Sequence, residues 1–280
     1  MSLIRIKSLV LLVSLLLSQV ALPGAFAAET YTFSVVPQFN AVQLHTEWLP
    51  VINRITQETG ITLELVVAPT IPKFERTLLK GEPDFAFANP YHAVMAKRAQ
   101  NYIPLVRDTK PLTGILLVKR DSPYHSLQDL NGKEIGFPAP NAFGASLYMR
   151  TLLAENKVNY QSQVLNTHGN VFRNILNGSI AAGGGVNNTF NDEKPEMREQ
   201  LRILYQTPGV ASHPVIAHPR VPERVRKAVL NAFLAMQKDA PGLALLKEIR
   251  LPQPVAATYS SDYLPLEKLN VEKFVILEKE

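Results

Sequence analysis

The 280 residues are 46% hydrophobic and 19% charged, with 14 Gly, 21 Pro and no Cys, a composition that excludes disordered chains, collagen and disulfide scaffolds. Without a thiol there is no cysteine nucleophile, thiolate zinc site, iron–sulfur cluster or lipid-modified cysteine, which leaves His and carboxylate chemistry or binding. The formal charge of +5 raises nucleic acid as a partner, but the signs alternate and no basic run is interleaved with aromatics, so none is expected.

Residues 1–27 read as a secretory signal. Arg5 and Lys7 precede the apolar Leu9-Val10-Leu11-Leu12-Val13-Ser14-Leu15-Leu16-Leu17, and Ala25-Phe26-Ala27 follows the turn-forming Pro23-Gly24 as a small-x-small cleavage site. The apolar run is far short of the roughly 20 residues that a spanning helix needs. A mature chain from Ala28 is expected, with 27 Lys and Arg (29 less Arg5 and Lys7) against 24 Asp and Glu, a balance of +3. No later stretch is apolar enough to span a membrane, so the product is expected to be exported and soluble, with a core large enough to hold without disulfides.

From there, β-branched or aromatic runs alternate with helical patterns, the mark of an α/β fold with mostly parallel strands. Tyr31-Thr32-Phe33-Ser34-Val35-Val36 is the first strand, stopped by Pro37. Leu44, Trp48, Val51, Ile52 and Ile55 then fall at helical spacing as far as Gly60, a C-terminal cap, with Pro50 inside the pattern as a kink or as the true start. A second strand over 61–67 leads to a helix around 73–80 that ends at Gly81. A buried third strand, 84–88, runs into Asn89-Pro90-Tyr91-His92 and a helix over 93–99. Strands at 103–107 and 114–119 follow, joined by a turn-rich 108–113. The alternation then restarts with a helical turn at 127–130, a strand at 134–137 and a helix from Phe143 towards Glu155. A strand near Val164-Leu165, a helix to Leu176, the Gly-rich Ala181-Ala182-Gly183-Gly184-Gly185-Val186 and a strand over 201–205 complete this half. Pro208, Pro214, Pro219 and Pro222 punctuate a connector ahead of an amphipathic helix marked by Val225, Val229, Ala232, Phe233 and Met236.

Two α/β units joined by turn-rich passages near 109–114 and 206–216 imply two lobes with two crossings and a cleft between them. Ligands of such sheets bind outside the carboxyl ends of strands, where loops feed helix N-termini. The candidate loops are therefore 37–40, 89–92, 138–145, 166–170 and 186–191.

At these positions the chain resembles a known family, the periplasmic substrate-binding proteins of phosphate/phosphite/phosphonate ABC transporters. The resemblance rests on Trp48-Leu49-Pro50 with Thr59-Gly60-Ile61, on Gly81-Glu82-Pro83-Asp84-Phe85-Ala86-Phe87-Ala88-Asn89-Pro90-Tyr91-His92, and on Asp121-Ser122-Pro123. Leu127-Gln128-Asp129-Leu130-Asn131-Gly132-Lys133 and Thr167-His168-Gly169-Asn170 add to it. It implies a two-lobed type II periplasmic binding protein with a two-strand hinge, lobe 1 being residues 28–112 and 209–280 and lobe 2 residues 113–208. In that family a phosphonate is held at a helix N-terminus by a short Ser/Thr run while tyrosines of the first lobe close over it. Tyr91 matches one such tyrosine. The Ser/Thr run falls at Asn141-Ala142-Phe143, which has no hydroxyl, so Ser146 is the nearest, and 178–183 lacks the Asp that relatives often carry. Both departures weigh against an aminoalkylphosphonate, whose amine calls for a negative partner.

Each candidate has a functional and a plain structural reading. The amides of Ala142, Phe143, Gly144 and Ala145 at a helix start form an anion cradle, with Asn141 as cap or direct contact; the alternative is a helix start that needs only its Asn cap. Tyr91 and His92 project from the end of a buried strand, as anion donors or as turn chemistry with a half-buried aromatic. Gln38 and Phe39, with Asn40, suit a polar ligand with an apolar portion, or simply lead into a helix cap. His168 holds an anion or is a satisfied buried histidine. Asn187, with Asn188, follows a glycine run open to close approach, or a plain flexible loop.

Catalytic patterns are absent from the sequence: no His-Glu-x-x-His, no Gly-x-Ser-x-Gly, no P-loop and no dinucleotide fingerprint. The expectation is a periplasmic receptor, not an enzyme, that captures a small oxyanion between two lobes and delivers it to the membrane permease of an ABC importer. It is expected to act as a monomer, with no metal and no cofactor. The rival from another class is a sensory module whose liganded form engages a membrane signalling receptor.

Overall fold

The computed structural model describes residues 30–276; the signal read over 1–27 lies outside them. The described strands are β1 (Thr30–Val35), β2 (Thr62–Val67), β3 (Phe85–Phe87), β4 (Ile103–Asp108), β5 (Gly114–Lys119), β6 (Glu134–Phe137), β7 (Gln161–Val164), β8 (Ala182–Val186), β9 (Leu201–Gln206), β10 (Val215–Ala217) and β11 (Pro254–Ala256). They form two sheets, ordered β11-β4-β10-β3-β1-β2 and β7-β6-β8-β5-β9. The helices are α1 (Ala41–Thr59), α2 (Ile71–Leu79), α3 (Pro90–Gln100), α4 (Tyr148–Glu155, entered through a wide π-type turn, Phe143–Leu147), α5 (His168–Leu176), α6 (Asn187–Asn191), α7 (Pro195–Arg198), α8 (Glu223–Met236) and α9 (Ala240–Glu248).

Local chemistry explains the elements that border the cleft. α1 starts where the Asn40 side chain accepts from the Gln43 N–H at 3.0 Å, well ahead of Pro50, which sits inside one continuous helix. It ends at Gly60, whose φ of 69° suits glycine and whose N–H donates to Thr56 O at 2.9 Å. Its Leu44, Trp48, Val51, Ile52 and Ile55 are all buried, and Trp48 packs on Phe33 of β1 and Phe87 of β3. α7, β10, α9, β11 and the short turns over 259–274 have no counterpart in the sequence reading.

The two-lobed α/β class and its two-strand hinge hold, but the sheets are mixed where mostly parallel strands were expected. Four strand pairings are parallel and five antiparallel. The reason is the double crossing. β1, β2, β3 and β4 share one direction, as do β6, β7, β8 and β9; β5 and β10, which enter a sheet straight from the hinge, run the other way, as does β11. One reversed strand inside a sheet converts two pairings at once. At the hinge itself Leu112 and Val210 exchange N–H···O bonds of 2.9 and 3.0 Å, an isolated antiparallel bridge.

The glycine run is a buried central strand, β8, and not a loop. A Cβ on Gly184 would stand 1.8 Å from the Ala145 carbonyl oxygen, and one on Gly114 2.3 Å from that of Gly144. Glycine at these two positions lets the wide turn lie directly on β5 and β8. Gly184→Ala is therefore expected to lower unfolding free energy by about 3 kcal/mol or to displace the turn, measured by urea unfolding. Gly169→Ala is the control: its nearest Cβ neighbour lies at 3.4 Å and is the flexible end of Arg173.

Candidate functional site

The carboxyl ends of β1, β3, β6 and β8 come together where the lobes meet, and a small cavity of about 10 Å³ lies there. Val36 and Gln38 reach it beyond β1, Asn89 beyond β3, Leu112 from the hinge, residues 142–145 from the turn after β6, and Val186 from the end of β8. His168, the first residue of α5, and His213, just ahead of β10, also line it. The ring of His213 stacks on Phe87 at 5.6 Å.

Both imidazoles are buried, and each has a ring nitrogen without a partner, Nδ1 in His168 and Nε2 in His213. Burial pushes the His168 pKa down to about 4. Burial first, and then the charges of His92, His168 and Arg250, push His213 to about 3. Both rings are thus neutral at pH 7. Buried polar atoms without partners are rare in folded proteins, and two on one cavity mark a place where another group completes the bonding.

The helix starts around the cavity differ in one respect. Asn40 caps α1, Thr70 caps α2, Asn89 caps α3 and Thr167 caps α5, each accepting from a backbone N–H of the first turn. No side chain caps the start of α6 at Val186, and none caps the turn at Phe143. Its first bonds are from the Ser146 and Leu147 amides to Ala142 O, at 2.7 and 3.1 Å, which leaves the amides of Phe143, Gly144 and Ala145 ahead of the first bonded turn. Ser146, the nearest hydroxyl to this start, is taken: its Oγ donates to Pro140 O at 2.9 Å.

Of the residues singled out from the sequence, Gln38, Ala142, Phe143, Gly144 and His168 line the cavity together. The others sit close by, with partners of their own. Tyr91 is buried beneath Phe143, ring centroids 6.3 Å apart, and its hydroxyl lies beside Glu272; burial, then that carboxylate, raises its pKa. His92 closes the capping box of α3 and meets Glu75 Oε1 at 2.7 Å. The Asn141 amide donates to Glu75 Oε2 at 2.6 Å and to Ile276 O at 2.8 Å, and its oxygen accepts from Ile276 N. Asn187 clamps the hinge, accepting from Thr113 N at 3.2 Å and donating to Pro111 O at 3.0 Å. Phe39 lies under the Arg250 guanidinium, 4.1 Å from its carbon.

Several polar ties join the lobes beside the cavity, and two of them centre on carboxylates. One is the Glu75–Asn141 bond. The other is Arg250, which holds both oxygens of Glu47 on the first lobe at 2.8 and 3.2 Å and Asp192 on the second at 2.7 Å. His213 is the wall residue that the sequence reading passed over, having weighed it only as one of six histidines without zinc spacing. Its signal was its position, a histidine at the point where the second crossing re-enters the first sheet.

Residues 33–263 match the model of the family described as ABC transporter, phosphonate, periplasmic substrate-binding protein. The chain belongs to this family. Membership makes it a periplasmic binding protein that serves a membrane permease, with a small molecule as its cargo. Solved structures agree in fold. A binding-protein component of a phosphonate ABC transporter from Pseudomonas aeruginosa is 16% identical with a TM-score of 0.76, covering 86% of this chain and 85% of that one. PhnD1 of Prochlorococcus marinus, solved in complex with methylphosphonate, is 14% identical with a TM-score of 0.77, covering 86% and 97%. A Xanthomonas citri protein solved with chloride is 19% identical with a TM-score of 0.72, covering 88% and 99%. No curated protein sequence matches the chain.

Proposed function

We propose that this binding protein captures a small oxyanion of the phosphonate class in the interlobe cavity and hands it, enclosed, to its permease. The observation that carries the reading is that two buried neutral imidazoles with orphaned nitrogens, one from each lobe, line one cavity together with an uncapped helix start. The amides at 143–145 and the positive end of the turn supply fixed donors for the anion. His168 and His213 add a ring nitrogen each to those amides. Gln38 adds an amide from the first lobe. Tyr91, His92, Asn141 and Asn187 act one layer out, through Phe143, Glu75 and the hinge.

As the lobes stand, the cavity of about 10 Å³ has room for one water-sized group, less than an oxyanion needs. An oxyanion therefore enters with the lobes parted and is held with them slightly wider than this, after rotation about the 112/210 bridge. Enclosure strips water from the anion and strengthens each fixed donor, so the ligand favours the closed state only because both lobes contribute. The methylphosphonate in PhnD1 supports this ligand class. With the reading go lobe boundaries at 112/113 and 208/209, signal cleavage after Ala27, a monomeric state, no nucleic-acid partner and no chemical turnover of the cargo.

A thermal-shift panel of phosphate, phosphite, methylphosphonate, sulfate and a sulfonate tests the proposal. Methylphosphonate or another phosphorus oxyanion is expected to raise the melting temperature by several degrees at millimolar concentration. A rise with neutral compounds alone sinks it.

A further inference from the structure

We infer that the cargo carries an uncharged, apolar organic substituent, which leaves the oxyanion cavity and lies in the groove at the mouth of the cleft. The inference rests on the oxyanion reading above and adds the class of the remainder of the ligand. Beside the cavity lies an open groove of about 600 Å³, walled by Pro37 and residues 39–41 and 68–72 of the first lobe and by residues 138–140, Val164 and residues 166–167 of the second. The two spaces adjoin: Ile71 lines both, and the neighbouring pairs Gln38 and Phe39, and His168 and Thr167, line one each. When the lobes part, a group bonded to the anion has this groove beside it.

The chemistry of the groove is set by what its wall cannot offer. Its lining includes no Asp, Glu, Lys or Arg. Pro37, Pro69, Pro72, Pro138 and Pro140 remove backbone donors from the wall and fix its φ angles, so it is rigid as well as poor in N–H groups. The polar side chains of Asn40, Thr70 and Thr167 are already engaged as helix caps, accepting from Gln43, Lys73 and Asn170 amides at 3.0, 3.2 and 3.2 Å. What remains is the Asn166 amide and the faces of the prolines, Ala139, Ile71, Phe39 and Val164. Behind this wall the Arg250 guanidinium stacks on Phe39 at 4.1 Å, with its charge already taken by Glu47 and Asp192. An ammonium-bearing tail would find no carboxylate in the groove lining; an alkyl or aryl tail would exchange water for apolar surface.

Calorimetric titration of the mature protein with methyl-, ethyl-, butyl- and 2-aminoethylphosphonate tests this. Affinity is expected to rise about two-fold per added methylene, below the full transfer value because the groove stays open on one side. 2-Aminoethylphosphonate is expected to bind at least about ten-fold more weakly than ethylphosphonate, since its tail loses hydration without a partner. Val164→Asp, at a half-exposed position ending the edge strand β7 where folding is not at risk, places a carboxylate on the wall. It is expected to narrow or reverse that ratio while butylphosphonate binds several-fold more weakly. Methylphosphonate binding with no gain along the alkyl series, or with 2-aminoethylphosphonate equal to ethylphosphonate, overturns the inference and leaves the oxyanion reading standing. Failure of every phosphonate overturns the oxyanion reading itself.

Discussion

Glu75→Ala is expected to lower the unfolding free energy by about 3–5 kcal/mol, a large fraction of a domain's total stability. Glu75 is 3% exposed on α2, and its two oxygens accept from two buried donors, the His92 ring and one N–H of the Asn141 amide, whose other N–H goes to Ile276 O. His92 Nδ1 faces the Asn89 N–H at 3.4 Å and accepts it, so Nε2 carries the proton and donates to Glu75 Oε1 at 2.7 Å. Asn141 comes from the other lobe and donates to Oε2 at 2.6 Å. Deleting the carboxylate orphans both donors in a buried space, each a loss of about 1–3 kcal/mol. Glu75→Gln preserves the shape but presents an NH₂ to one of the two donors, so about half the loss is expected. A double-mutant cycle with Asn141→Ala isolates the interlobe part of the network. Urea unfolding reads all three; additive effects of the pair would show that Glu75 and Asn141 do not bond across the lobes.

That network also shows where sequence reading reaches and where it stops. Strands such as Phe85-Ala86-Phe87, and α1 with its buried positions at 44, 48, 51, 52 and 55, announce themselves by period and by punctuation at Pro37, Asn89 and Gly60. The helix start at residues 142–144 was legible because a strand, a Pro-x-Pro turn and an apolar run follow one another there. The partners of polar side chains were not. Asn141 is joined to Glu75 far upstream and to Ile276 far downstream, and nothing local to Asn-Ala-Phe encodes either bond. His92 looked available from its loop and is consumed by Glu75. β10 has three residues inside a proline-punctuated connector, too short for a period of two to register, and His213 was hidden with it. The glycines of β8 read as flexible until the wide turn lying on them fixed their role, which is close backbone approach within a rigid sheet.

Lowering pH from 7 to 5 is expected to remove about 4 kcal/mol of stability, roughly 10 °C in melting temperature, before carboxylates begin to protonate. The sign follows from His168 and His213. Their folded pKa values are depressed to about 4 and about 3 from 6.5, so below pH 6.5 the unfolded chain binds protons that the folded chain refuses. Stability is therefore full above pH 6.5 and falls as pH drops through the window down to the folded values. At pH 5 each ring accounts for about 2 kcal/mol. Carboxylates held below their ordinary range, such as Asp239 and Asp262, titrate at lower pH and do not contribute to this window. A bound oxyanion inverts the effect. It brings negative charge beside both rings, raises their affinity for protons and makes binding take up protons, so the stabilisation by methylphosphonate is expected to grow as pH falls from 7 to 5.5. Calorimetry in two buffers of different ionisation enthalpy counts those protons. A His168→Gln/His213→Gln chain is expected to lose most of the acid slope above pH 5, with His218, whose pKa burial also lowers, keeping the rest. If it kept the slope, or if the wild type melted at the same temperature at pH 7 and pH 5, the two imidazoles would not be the neutral, dry groups that the cavity holds.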